Sequence, residues 1–414
     1  MFQSKSEESF RASLRPFPPG SPEFMKIFIA EEHLHFENTD VQVHIWEDGH
    51  DYLQKLGAFG DIHLFRNKDG LGMMVPEDLG WETLPKYVDP ETIVGIFYSN
   101  RKIGEQLEDM KMGKLLDEFK KVPTQRTDII NSITLEFSNE KLNNVFRVPS
   151  FVTENSMIQK LTDVLTGIRR KSKKVLRMLD TMPQYTKFLL LSMKGSFTDV
   201  HIDFSGSSVF YHVVKGQKIF YVAPFNEENF EIFKRSQLDF DNRGWIGDIL
   251  WDKFQRIVIG EGETAFIPGG YLHFVFTPVD SIVIGGNFLM EKFLKRQFDI
   301  TLHEESLLPL STGEPVNESH MFQGFRNVMF GFTEFCLLPE LKNSPNNHLL
   351  SLVKIMSEEM DSNIEIPNDW YTKPKKESIM EELKGVLEPD REQSEEELVK
   401  KKMKMAEEED SVTF

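Results

Sequence analysis

Thr198-Asp199-Val200-His201-Ile202-Asp203-Phe204 is the stretch on which the fold turns. His201 and Asp203 are separated by one apolar residue. Side chains alternate faces along a strand, so an imidazole and a carboxylate two residues apart project to the same side. One further histidine completes a two-histidine, one-carboxylate set with coordination positions left open, the donor arrangement of non-haem Fe(II) oxygenases. His273 is the candidate, 72 residues on, in Ala265-Phe266-Ile267-Pro268-Gly269-Gly270-Tyr271-Leu272-His273-Phe274-Val275-Phe276. There a Pro-Gly-Gly turn feeds a strand rich in aromatic and β-branched residues. The interval holds several short strands and a loop, enough chain to wrap a barrel. A bare His-x-Asp arises often by chance as a solvated pair on a surface strand, so its surroundings have to decide.

Those surroundings resemble a known family. Phe197-Thr198-Asp199-Val200-His201-Ile202-Asp203-Phe204, followed by Ser208-Val209-Phe210-Tyr211-His212-Val213-Val214-Lys215-Gly216-Gln217-Lys218, is similar to the JmjC histone lysine demethylases. The nearest match is the subfamily whose members usually carry a PHD finger, and the CXXC-containing demethylases come next. Asn131 lies in Ile129-Ile130-Asn131-Ser132-Ile133-Thr134-Leu135-Glu136-Phe137-Ser138, which resembles a stretch of the same subfamily. Short strands punctuated by Gly and Pro imply a sandwich or barrel. The resemblance narrows this to a mostly-β chain with helices: a double-stranded β-helix of the jelly-roll, cupin-like kind, with an N-terminal mixed α/β region and a C-terminal helical region.

The resemblance also implies a chemistry. His201, Asp203 and His273 would hold Fe(II), with 2-oxoglutarate and O2 as co-substrates. Lys218 would supply a cation for the far carboxylate of 2-oxoglutarate, and Thr198, Tyr211 and Asn131 match positions that hydrogen-bond the same molecule. Thr198 stands three residues before His201, which on a regular strand is the opposite face, so a bulge or bend near Asp199-Val200 is required. Asn287 matches a position on the substrate side, and His212 is expected to face away as a structural residue. The implied reaction hydroxylates an N-methyl group of mono- or dimethyl lysine on the histone H3 tail, at its ninth or twenty-seventh position, with release of formaldehyde. A protein hydroxylase of the same fold and a catalytically silent chromatin-binding protein are the alternatives. Departures from the family pattern are Phe210 and Tyr271 in place of tryptophan, and Phe274 in place of a small residue. Phe274 is expected to face away from the metal.

Composition sets outer bounds. The 414 residues accommodate one large domain with additions, or two. No apolar run is long enough to span a bilayer and no signal peptide opens the chain, so the expected setting is intracellular, without a membrane. Cys336 is the only cysteine, which leaves no disulfide and no cysteine-built zinc finger, the PHD finger included, within these residues. A formal net charge of −18 disfavours general binding to a phosphate backbone and suits a basic partner such as a histone tail. Arg169-Arg170-Lys171-Ser172-Lys173-Lys174 reads as a nuclear-import signal or a solvated helix face. The expected location is the nucleus, with membership of a chromatin complex and no sequence-specific nucleic-acid binding.

Along the chain, residues 1–25 read as disordered, with Gly20-Ser21-Pro22-Glu23-Phe24 resembling a cloning remnant. Residues 26–128 form the N-terminal mixed region, with strands such as Val41 to Trp46 and a helix over Ile103 to Lys120. In that region Glu31-Glu32-His33-Leu34-His35 offers a competing histidine pair but no third ligand, and reads as a solvated strand edge. The JmjC core is expected over 129–300, including the strand at 129–138. A helical region follows over 301–370, and a charged tail over 371–414 reads as disordered or as a lone solvated helix.

Overall fold

Among the described residues, eleven strands form in chain order: β1 (Val43–Trp46), β2 (Ile62–Phe65), β3 (Ile93–Tyr98), β4 (Leu107–Lys111), β5 (Ile130–Glu136), β6 (Phe188–Ser192), β7 (Phe197–His201), β8 (Ser208–Ala223), β9 (Gln255–Gly260), β10 (Thr264–Ile267) and β11 (Leu272–Phe288). The structure is a computed structural model that describes residues 7–50, 59–101, 106–238, 244–307, 324–364, 366 and 369–387. Fourteen α-helices accompany the strands among these residues, besides short 3-10 turns and one π-helical turn: α1 (Glu7–Leu14), α2 (Pro22–Glu31), α3 (Leu84–Tyr87), α4 (Met112–Lys120), α5 (Ser150–Asn155), α6 (Met157–Gly167), α7 (Lys173–Asp180), α8 (Glu227–Leu238), α9 (Ile246–Ile249), α10 (Leu294–Leu307), α11 (Phe325–Phe332), α12 (Leu338–Asn343), α13 (Asn347–Glu359) and α14 (Lys373–Leu387).

The two longest strands, β8 and β11, pair antiparallel along their whole length and organise the rest. Their ribbon bends midway. Gly216 sits at the bend with φ +86°, and a Cβ there would lie 2.3 Å from the Asp280 carbonyl oxygen, so only glycine fits without strain. The halves on either side of the bend then recruit different neighbours. The first half of β8 pairs with β10 and the second half of β11 with β6, continuing to β5, β3 and β4 on one side and to β2 and β1 on the other. The second half of β8 pairs with β9, and the first half of β11 with β7. This is the expected double-stranded β-helix, a large mixed β assembly with helices. An apolar core drawn from both halves fills its interior, with Val209, Tyr211 and Val213 from one half of β8 and Phe220 and Val222 from the other.

The residues read as disordered are ordered from Glu7 onward. Phe10 and Leu14 of α1 are buried, as are Phe24, Met25 and Phe28 of α2. Ser21 caps α2, its Oγ accepting a hydrogen bond from the Phe24 N–H at 3.3 Å. These helices cover the outer face of the β7, β8 and β11 halves, in one cluster with Phe197, Tyr221, Phe274 and Phe276. The Pro-Gly-Ser composition hid an amphipathic pair too short for a clear periodicity. Likewise, Glu31-Glu32-His33-Leu34-His35 ends a helix and is no strand edge. Glu32 is buried there, accepting hydrogen bonds from Arg256 Nε at 2.7 Å and Tyr221 Oη at 2.5 Å.

The boundaries also move. The described residues fall into two units, 7–156 with 184–307, and 157–183 with 324–387. The helices over 157–180, expected within the core, therefore belong with the C-terminal helices. Leu161 of α6, Met178 of α7 and Trp370 pack around Gly331 of α11. Helix α10 runs across the boundary expected at residue 300. Part of the presumed charged tail is the helix α14, whose Ile379, Met380 and Leu383 are buried, so it is no lone solvated helix. Residues 388–414 and 1–6 lie outside the described residues.

Candidate metal and co-substrate site

His201 ends β7 and Asp203 follows two residues later in extended backbone, φ −62° and ψ 144°, so the alternation that aligns the pair outlasts the strand itself. His273 stands on β11 directly opposite His201. The three side chains converge. One ligand atom from each of His201, Asp203 and His273 lies within 4.8 Å of the other two, and His273 Nε2 is 3.9 Å from Asp203 Oδ2. Donors on adjacent positions of one ion, at metal–ligand bonds of about 2.0–2.2 Å, lie roughly 3 Å apart, so binding an ion would draw the three ligand atoms closer together.

The imidazoles are set for this. His201 Nδ1 is 2.8 Å from the Asp199 carbonyl oxygen and His273 Nδ1 is 3.2 Å from that of Tyr271. A carbonyl only accepts, so each Nδ1 carries the proton and each Nε2 keeps its lone pair for a ligand bond. Burial and the neighbouring His273 push the His201 imidazolium down to about 4, which keeps the ring neutral. Phe220 stacks on His273 with ring centroids 5.7 Å apart and holds its plane. The donors are therefore oriented and of the kinds that bind a divalent ion.

Thr198 reaches the same side as His201 because the β7–β11 ladder is irregular. His201 pairs with His273 but Thr198 with Val275, three residues against two. This is the bulge that the spacing demanded. Asp199 and Val200 together face the single Phe274 there, and Asp199 Oδ1 accepts hydrogen bonds from the Val200 N–H at 2.7 Å and Trp245 Nε1 at 2.8 Å.

From Thr198 a hydrogen-bonded chain leads away from the histidines. Lys218 Nζ donates to Ser192 Oγ at 2.6 Å and Thr277 Oγ1 at 2.8 Å. Ser192 Oγ donates to Asn131 Oδ1 at 2.6 Å. Asn131 Nδ2 then donates to Thr198 Oγ1 at 3.2 Å. Every donor points one way, which leaves the Thr198 hydroxyl proton uncommitted. Lys218 is only 2% exposed. No carboxylate among the described residues pairs with it, and burial brings its ammonium down to about 7. An unpaired buried cation is costly unless a charge arrives to meet it. Tyr211, buried on the same inner face, has its phenol raised by burial and by Asp203, and its hydroxyl makes no hydrogen bond within the described residues.

The four expected co-substrate residues thus divide. Lys218, Asn131 and Thr198 are joined in one chain, and Tyr211 contributes a free hydroxyl nearby, edge-on to Phe220 at 4.9 Å. Ser192 and Thr277, which complete the chain, were missed. The signal for Ser192 was a polar residue closing the apolar strand Phe188-Leu189-Leu190-Leu191. Asn287 donates from Nδ2 to Ser207 Oγ at 3.1 Å. His212 turns the other way, with Nδ1 2.9 Å from Thr264 Oγ1. Phe274 packs away from His273, stacked on Tyr221 with centroids 4.2 Å apart.

The chain is 34% identical over 230 residues to lysine-specific demethylase 2B of Mus musculus, covering 55% of this chain and 17% of that protein. It is 30% identical over 286 residues to the histone lysine demethylase PHF8 of Danio rerio, covering 67% and 25%. With JmjC domain-containing histone demethylation protein 1 of Yarrowia lipolytica the identity is 33% over 239 residues, covering 56% and 44%. The chain therefore spans less than half the length of each of these relatives. Residues 188–288, which hold His201, Asp203, His273, Thr198, Tyr211 and Lys218, match the family model of the JmjC domain, a hydroxylase, and the chain carries that domain there.

Proposed function

We propose that this protein is an Fe(II)- and 2-oxoglutarate-dependent dioxygenase that demethylates mono- and dimethyl lysine on the histone H3 tail. One observation carries the reading: a two-histidine, one-carboxylate cluster opens onto the same interior as a buried, unpaired lysine tied to Thr198. His201, Asp203 and His273 would hold the iron. Lys218, with the Thr198 and Tyr211 hydroxyls, would receive the far carboxylate of 2-oxoglutarate, and Asn131 would fix Thr198. Iron and 2-oxoglutarate, when bound, supply the oxidising equivalents with which O2 hydroxylates a methyl C–H bond.

The chain's own part is to place and to exclude. Ser192 and Thr277 orient the Lys218 ammonium, and its deprotonation costs little until a carboxylate arrives to hold the proton there. The apolar lining from Tyr211, Phe220, Val222 and Val275 keeps water from the reacting methyl group. Once hydroxylated, that methyl is a hydroxymethyl amine. Its C–N bond breaks with the hydroxyl proton passing to nitrogen, and formaldehyde and the shortened amine leave. The net charge of −18 suits a basic tail, and of the basic run from Arg169 to Lys174 the exposed Arg169, Arg170 and Lys173 suit nuclear import.

Mass spectrometry of H3 peptides, methylated at the ninth or twenty-seventh position and incubated with Fe(II), 2-oxoglutarate and air, tests this. Stepwise loss of methyl groups from dimethyl and monomethyl peptides, with poor turnover of trimethyl ones, is expected. A stable gain of one oxygen would identify a hydroxylase, and no change with any peptide would overturn the demethylase reading.

A further inference from the structure

The loop carrying Asp203 and the turn that delivers His273 meet without a side chain between them. A Cβ on Gly269 would lie 2.2 Å from the Gly206 carbonyl oxygen, so backbone rests on backbone. Helix α10 lies against both. Ile300 Cδ1 would be 2.5 Å from a Cβ on Gly206 and 3.3 Å from one on Gly270. One helical turn before it, Arg296 Nη1 donates to the Gly269 carbonyl at 2.8 Å, its guanidinium held between the Phe225 and Phe293 rings at 4.9 and 4.6 Å. One turn after it, Glu304 Oε1 accepts from the Ser205 N–H at 2.9 Å. Residues 296, 300 and 304 share one face of the helix.

The grip on Ser205 falls where the backbone is least comfortable. Ser205 has φ +50°, the left-handed region that non-glycine residues seldom enter. The turn that Ser205 makes aims the preceding Asp203. The Glu304 carboxylate faces both the N–H and the buried hydroxyl of Ser205, and the N–H to carboxylate bond holds the turn from the helix side.

We propose that α10 is a clamp on the metal site, with Arg296 and Glu304 as positioning residues that fix the spacing between Asp203 and His273 through backbone atoms alone. This rests on the reading of His201, Asp203 and His273 as metal ligands. Neither residue touches metal or substrate; each acts through the loop it holds. Outer partners that orient ligands typically change metal affinity by roughly 10–100-fold when removed.

Co(II) binding to the full-length, metal-free protein tests the clamp without turnover. Its visible absorption reports coordination geometry as well as affinity. E304A and R296M are expected to bind Co(II) at least tenfold more weakly than wild type, with an altered spectrum. E304Q keeps an oxygen acceptor for the Ser205 N–H and should behave like wild type. D299A, on the solvent-facing Lys295–Asp299 pair of the same helix, should change nothing. R296M retains an unbranched apolar stem between the two rings, so it carries the test if E304A does not fold. Wild-type affinity and spectrum in a folded E304A or R296M would overturn the clamp, provided that wild type binds Co(II) and H201A does not. Equal binding by wild type and H201A would instead overturn the ligand assignment beneath it.

Discussion

Replacing Lys218 with methionine separates two effects that the burial of this cation ties together. The ammonium has no acidic partner among the described residues and its proton is held only to about pH 7. A bound carboxylate stabilises the charged form, so 2-oxoglutarate binding draws a proton onto Lys218 whenever the free protein has lost it. The sign follows. Below about pH 7 the free lysine is already charged and affinity is flat; above it, each pH unit costs one protonation, about 1.4 kcal/mol or about tenfold. A charge-assisted hydrogen bond contributes about 1.5–3 kcal/mol, so K218M should weaken 2-oxoglutarate roughly tenfold to a hundredfold at pH 7, and the pH dependence should flatten. Glu304 titrates in the same window, since burial raises its carboxyl to about 8. The difference between wild type and K218M therefore isolates the lysine. Isothermal titration calorimetry at pH 8, in two buffers of different ionisation enthalpy, should show proton uptake approaching one in wild type and markedly less in K218M. Equal uptake in both proteins, or unchanged affinity in K218M, would refute the assignment of Lys218 as the counter-charge.

The same variant should melt higher than wild type when no ligand is present, because an apolar side chain replaces a desolvated, unpaired amine. Its gain should shrink as pH rises from about 7 toward the ordinary lysine range, where the unfolded chain also loses the proton. G216A places a Cβ against the Asp280 carbonyl at φ +86°. It should cost roughly 1–3 kcal/mol, read as a lowered denaturation midpoint. F10A removes a fully buried ring that stacks on His35 at 4.5 Å. A loss of about 3–5 kcal/mol, or release of α1 seen as new proteolytic cleavage near it, is expected. An unchanged midpoint with unchanged proteolysis would mean that the segment is not part of the folded unit.

The site was legible because its chemistry is local in sequence. His201 and Asp203 are fixed by strand alternation, and the i−3 placement of Thr198 already required the irregularity that the β7–β11 ladder carries. His273 announced itself through the Pro-Gly-Gly turn. Ser192 was marked only as a polar residue closing an apolar strand and Thr277 not at all, since nothing in a lone serine or threonine says that a distant lysine will come to it. The α1–α2 segment failed for a different reason. Its apolar residues Phe10, Leu14, Phe24 and Phe28 gain their meaning only from Phe197, Tyr221 and Phe274, on strands far along the chain. The move of residues 157–183 to the second unit has the same origin, because an amphipathic helix declares a buried face but not the surface that buries it. The grip of Arg296 and Glu304 acts on backbone atoms, which carry no residue identity to read.

Anaerobic equilibrium dialysis with Fe(II), followed by admission of O2 with 2-oxoglutarate and a dimethyl-lysine H3 peptide, tests the central claim most directly. The account predicts one iron per chain in wild type, and formaldehyde and succinate formed in equal amounts. In D203A and H273A the bound iron and both products should be lost together, with circular dichroism unchanged. Formaldehyde produced at the wild-type rate by D203A, or by wild type stripped of iron, would contradict it.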